Sequence, residues 1–261
     1  MMDSRSARAH VRRSAIVAAS GALRITGQSS RMWQQKHGLA VLLVHNTPPH
    51  LADRLMEHVT AHRQRYTNFT DVEDRGLTSS RLALTFDDGF KSNLNIARRL
   101  HDVGVQSCFY VPTDVVGLDQ ADVDAFFRSP QAEGVLTWDD LEEIVALGHV
   151  VGSHCREHKP LIDQSDAQAE DQIKGSLAVL SERLGSARHF AWPFGSLRHA
   201  DPDKVVAWCA DVDALPASGV RGFNSPHRFE REGYLRRDAV DLNWIEADVS
   251  TFLVRDAHRR G

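Results

Sequence analysis

Two groups of side chains in this 261-residue chain could do chemistry together. The first is the adjacent pair Asp87 and Asp88, which closes the apolar run Leu82–Phe86 (LALTF) and is followed by Gly89. The second is His154 and His158, two imidazoles in an HxxxH spacing that can converge on one ion, across a helical turn or within a tight loop. With 14 histidines in the chain such a pair carries little weight alone, and an Asp-Asp-Gly is by itself an ordinary turn. Position is what joins them, because each begins where an apolar strand pattern stops. Two histidines and one carboxylate leave coordination positions open, as in a catalytic rather than a structural metal site. One carboxylate suffices as a ligand, and the other is then free as a base beside acidified water. The chemistry this suits is metal-assisted hydrolysis of an amide or ester.

Such groups need strands to deliver them. Leu82–Phe86 is short and apolar, as in a strand covered on both faces. A helical pattern follows, with Leu94, Ala97 and Leu100 on one face and Gly104 closing it, and then a strand over Val105–Val111 that stops at Pro112. This strand-helix-strand unit puts both carboxylates at a strand's carboxyl end, where α/β folds place ligands. Leu39–His45 is a second such strand, so His45 sits at the same level as Asp87. A helix is expected from about Leu51 to His62. Residues 113–134 read as an acidic excursion over the mouth, and Thr137 starts a helix ending at Gly148. A short strand at His149–Ser153 leads to the histidine pair. A long helix spans Ser165–Leu184, and a strand at His189–Trp192 ends in Pro193, Phe194 and Gly195. A helix near Asp203–Ala210, a strand near Val212–Leu215, a glycine-rich turn region and a helix near Val249–Arg259 complete the chain. Strand and helix alternate from Gly38 onward with fewer than eight clear strands, which predicts one parallel α/β domain over residues 38–261, a distorted or incomplete barrel.

Net charge is -4, but residues 1–37 hold seven Lys or Arg against Asp3 alone, a +6 arm on a -10 body. The arm reads as a short amphipathic helix or a solvated tail, with an anionic partner such as a membrane surface in the first case. No stretch is long enough to span a bilayer, and Ser14–Leu23 is too weakly apolar for a signal peptide core. The expected location is cytoplasmic, at the inner membrane face, with a lipid-linked sugar as one possible substrate. Cys108, Cys155 and Cys209 lack CxxC spacing and suggest neither disulfides nor a cysteine zinc site. The acidic body argues against nucleic acid.

TFDDG, SHxxxH some 65 residues later and the WPFG turn at 192–195 together resemble the NodB-type polysaccharide deacetylases, the fourth carbohydrate esterase family. That resemblance implies a distorted (β/α) barrel of the NodB homology type, a carbohydrate substrate, removal of N- or O-acetyl groups, and one divalent metal, usually zinc, with cobalt, nickel or iron as alternatives. It implies that Asp87 is the general base and that Asp88, His154 and His158 bind the metal.

Three departures stand out. Cys155 replaces the usual Ser or Thr. Ala191 stands where an arginine often precedes the proline. The leucine-histidine motif near the end of the domain, which carries the usual general acid, is missing. A branch resembling the biofilm poly-N-acetylglucosamine deacetylases uses a first-strand histidine as the acid, which points to His45, with His227 in reserve. Trp192, Pro193 and Phe194 are expected to form one wall of the sugar site, with core packing of the two aromatics beside the proline as an equal alternative. Two other functions compete: a catalytically impaired sugar-binding barrel, and a non-haem iron enzyme with the same ligand set.

Overall fold

The computed structural model describes residues 38–69, 72 and 80–249. The basic arm and the helix expected at Val249–Arg259 lie outside these residues, apart from Val249 itself. The strands β1 (Gly38–Val44), β2 (Ser80–Phe86), β3 (Cys108–Val111), β4 (Val150–Ser153), β5 (His189–Ala191), β6 (Leu215–Ala217) and β7 (Arg237–Ala239) alternate, among the described residues, with seven complete α-helices. These are α1 (Pro49–Ala61), α2 (Ser92–Asp102), α3 (Gln120–Phe127), α4 (Trp138–Ala146), α5 (Asp166–Leu184), α6 (Pro202–Ala210) and α7 (Pro226–Glu232). The sheet order is β6-β5-β4-β3-β2-β1-β7 and every pairing is parallel. β6 and β7 are joined only by a single bridge, Ala217 to Leu235, so the barrel is closed but for one seam. The expectation of an incomplete (β/α) barrel therefore holds.

Alternation along the strands sorts side chains between two cores. Leu42, Leu84, Phe86, Phe109, Val151 and Phe190 pack outward against Leu55, Ile96, Leu141 and Ile173 of the helices. Their neighbours Leu39, Val41, Ala83, Cys108, Tyr110, Ala191 and Ala217 fill the bore. The bore residues are mostly small because the interior also holds a tyrosine ring. At Gly152 a Cβ would stand 2.7 Å from the Tyr110 ring, so only glycine fits beneath it.

Helix ends follow the expected signals. Thr137 caps α4 and Ser165 caps α5, each in a reciprocal capping box. Four elements differ from expectation. The strand placed near Val212–Leu215 is Leu215–Ala217; the excursion contains α3, capped by Asp119; and the glycine-rich turn region contains both α7 and β7. The β7 residues, Arg-Asp-Ala, carry no apolar run, which is why the strand is hidden in the sequence.

Candidate active site

β1 and β2 pair in register from Gly38↔Ser80 to Val44↔Phe86, and the Asp87 N–H donates to the Val44 carbonyl at 2.9 Å. This carries the β2 ladder one residue past the strand. Asp87 stays in phase with Ala83 and Thr85 and faces the bore. Asp88 turns off it in a left-handed conformation, φ 72°. The two adjacent carboxylates share His154, whose Nε2 is 3.8 Å from Asp87 Oδ2 and 3.6 Å from Asp88 Oδ1, but their closest partners differ.

On the far side of β3, the His154 N–H donates to the Val111 carbonyl at 2.9 Å. The loop beyond is bent through Cys155 (φ 66°) and His158 (φ 48°), conformations that non-glycine residues rarely adopt. The loop is held there by the Gln172 side-chain oxygen, which accepts the N–H groups of Arg156 and Glu157, and by the Ser153 hydroxyl, which accepts that of Cys155. Bracing expected of a hydroxyl at 155 is thus supplied by its neighbours, and the Cys155 thiol is buried in the core.

These bends bring Asp88, His154 and His158 together, with one ligand atom from each lying within 4.8 Å of the others. Asp88 Oδ1 is 3.1 Å from His158 Nε2 and 3.6 Å from His154 Nε2. It is buried yet makes no hydrogen bond in proper geometry to either. Two imidazoles and a carboxylate with ligand atoms this close are a donor set that could hold a metal ion. His154 Nδ1 lies 2.7 Å from the Ala191 carbonyl, which can only accept, so the proton sits on Nδ1 and Nε2 offers its lone pair. Burial, outweighing the attraction of Asp87, lowers the His154 pKa to about 4, so the ring is neutral near pH 7. Burial pushes the Asp88 carboxyl up, but the His158 and His154 imidazoles outweigh it and bring the pKa down to about 2.

Asp87 has a partner that the sequence reading missed. Arg237, fully buried in the bore, donates from Nη1 to Asp87 Oδ1 at 2.6 Å and from Nη2 to Oδ2 at 2.9 Å. Its Nε donates to the Ser218 carbonyl, and the guanidinium lies 4.9 Å over the Tyr110 ring. Burial alone would raise the Asp87 pKa; the Arg237 charge, with help from His154, outweighs it and keeps the carboxyl below its ordinary range. Ala191, where a cation was expected, brings none. The cation facing Asp87 comes instead from β7. The only signal for it in sequence is an arginine in an unpromising three-residue strand.

His45 stands one residue past the Val44↔Phe86 pair, exposed at the mouth. His227 does not join them. It lies on α7, just after Asn224, whose backbone pairs with Leu39 at the amino end of β1. Five strand residues, about 16 Å, separate that level from Val44. The three residues expected to form a sugar wall also separate. Trp192 is fully buried, in phase with Phe190 and edge-on to Tyr234, and belongs to the outer core. Pro193 is buried as well. Only Phe194 is at the surface, 54% exposed, its ring 4.9 Å from that of His158. Phe127 of α3 touches His158 from another side at 5.5 Å, so the excursion does reach over the mouth.

A family model described as polysaccharide deacetylase matches residues 74–207, just over half of the chain. Among solved structures, IcaB from Ammonifex degensii is 22% identical with a TM-score of 0.67, over 84% of this chain and 98% of that one. The Streptococcus pyogenes deacetylase PplD, in complex with acetate, is 16% identical at 0.64, over 83% and 98%. BC0361, a polysaccharide deacetylase from Bacillus cereus, is 21% identical at 0.65, over 83% and 69%. These likenesses establish a shared fold. No match is found among curated proteins. On the extent of the family match, the chain belongs to the polysaccharide deacetylases.

Proposed function

We propose that the chain hydrolyses an acetyl group, an N-acetyl group in particular, from an amino sugar of a polysaccharide or lipid-linked glycan. The observation that carries this is the division of labour between adjacent carboxylates: Asp88 among two imidazoles, Asp87 clamped by a buried guanidinium. Asp88, His154 and His158 would hold a divalent ion, zinc being the first choice for two neutral imidazoles and one carboxylate. When bound, the ion supplies Lewis-acid polarisation of the acetyl carbonyl and lowers the pKa of water. Asp87, kept ionised and fixed in aim by Arg237, takes the proton of the attacking water. Arg237 also stops Asp87 from swinging round as a further ligand. As the carbon-nitrogen bond breaks, the sugar nitrogen needs a proton, and His45 stands at the rim to give it. Phe194 and Phe127 flank His158 and offer apolar faces to a sugar ring.

The test is acetate release from N-acetylated sugars, polymeric and lipid-linked, with metal content measured on the same samples. Asp87→Asn is expected to stop release while retaining the ion, and His45→Ala to lower kcat more than it raises KM. Full activity in Asp87→Asn would sink the assignment.

A further inference from the structure

A second set of side chains repeats the composition of the mouth cluster far from it. His58, near the end of α1, and His62, its C-cap, are four residues apart and so share one face, with ring centroids 4.8 Å apart. Glu246 approaches that face from the far end of the described chain. Its Oε1 lies 2.6 Å from His58 Nδ1 and 3.3 Å from His62 Nε2, and the three ligand atoms fall within 4.8 Å of one another. Arg63, the next residue, donates to the Val103 carbonyl in the turn leading into β3. The cluster therefore sits towards the amino ends of the strands, at the opposite end from Asp88.

We propose that His58, His62 and Glu246 form a second divalent-cation site of the zinc class, a clip that fastens residues 245–249 to α1. Ligands about 2.0–2.2 Å from a tetrahedral ion stand about 3.3–3.6 Å from each other, so the 3.3 Å pair already fits and the 2.6 Å pair would have to open by about 1 Å. A helical pair presents its two imidazoles with little freedom left to lose. His58 is 3% exposed and cannot turn away, its other nitrogen being buried without a hydrogen-bond partner among the described residues. Tyr66 packs edge-on against the same ring at 6.2 Å. The Glu246 side chain is 38% exposed, so water can complete the coordination from outside. Ile245 and Val249 are buried on either side of Glu246, which places the ion at the middle of the segment it secures. Because the three side chains tie a buried segment to α1 at the end of the barrel away from Asp88, the role this assigns is structural.

The experiment is zinc stoichiometry on the full chain, by metal analysis and calorimetric titration with Zn2+ alone, with Co2+ as a spectroscopic probe. His62→Gln and Glu246→Gln should each bind one equivalent less than wild type, with acetate release unchanged. Zn2+ should raise the Tm of Asp88→Asn, in which the mouth cluster is disabled, but not that of Asp88→Asn combined with His62→Gln. The inference stands on the loss of one equivalent relative to wild type, whatever the mouth cluster holds, so its failure is separate from a failure of the hydrolase reading. Wild-type stoichiometry in both single variants overturns it, including the case where they lose stability without losing metal, which would mean an ion pair only. His62 is at the helix end and part-exposed, so its variant provides a folded sample if Glu246→Gln does not.

Discussion

The mouth and the flank of this barrel hold the same three ligand types, two histidines four apart and one carboxylate, yet they are built in opposite ways. On the flank one histidine sits in the last turn of a regular helix and the other is its C-cap, so local spacing brings the two rings together. At the mouth the histidines sit in a bent loop, with Cys155 and His158 in left-handed backbone conformations and the loop braced by side chains of α5 and β4, while Asp88 is left-handed at the end of β2. The flank carboxylate is partly solvated and lies against two imidazoles. The mouth carboxylate has a twin one residue away, locked to a guanidinium in the bore. Two clusters of the same composition therefore differ in one respect that bears on the proposed hydrolysis: only the mouth has a second, differently held carboxylate among the described residues.

The largest separation of the two clusters should come from kinetics. Asp87→Asn is expected to lower acetate release by about 10²–10⁴-fold, the usual worth of a general base, whereas Glu246→Gln should leave the rate within about twofold. Equal losses in both would erase the distinction.

Stability should separate them next. Arg237→Ala strands a buried carboxylate and is expected to cost about 3–5 kcal/mol, read by denaturant unfolding, while Glu246→Gln without metal should cost under about 1 kcal/mol because that pair is part-exposed. Arg237→Lys should recover only part of the loss, since an ammonium cannot make the two-toothed contact.

Acid sharpens the same contrast. In the native state His154 takes a proton only near pH 4, but in the unfolded chain near 6.5. Between those values the unfolded chain binds more protons, so stability falls as pH falls, by roughly 3 kcal/mol in the metal-free protein. Asp88, with its native pKa near 2, adds a further loss below the ordinary carboxylate range. Replacing His154 by Gln should flatten the first limb. Smallest of all, Phe194→Ala should leave stability within about 0.5 kcal/mol and raise KM a few-fold, its ring being exposed.

How much of this was legible in the sequence follows from which interactions are local. Asp87, Asp88, His154 and His158 each end a recognisable strand, and a parallel fold sends all strand ends to one mouth. The helix caps at Thr137 and Ser165 were equally legible, being contained within four residues. Arg237 was not, because it meets Asp87 from 150 positions away. A strand whose inward residue is charged gives no apolar signal. Trp192 misled for a related reason: an aromatic beside a proline suggests a binding wall, but strand parity turns it to the side of Phe190, away from the bore. His227 could be ruled out only once Asn224 was seen beside Leu39.

The distance in sequence between Asp87 and Arg237 also sets an order of assembly. β2, β3 and β4 with their intervening helices can form from contacts between neighbouring segments, and they already contain Asp88, His154 and His158. The guanidinium that aims the base arrives only with β7, which pairs with β1 across almost the whole described chain. Non-local pairings of this kind are slow to form. Asp88, His154 and His158 are thus gathered by neighbouring segments, whereas Asp87 gains its guanidinium partner only where the last strand meets the first.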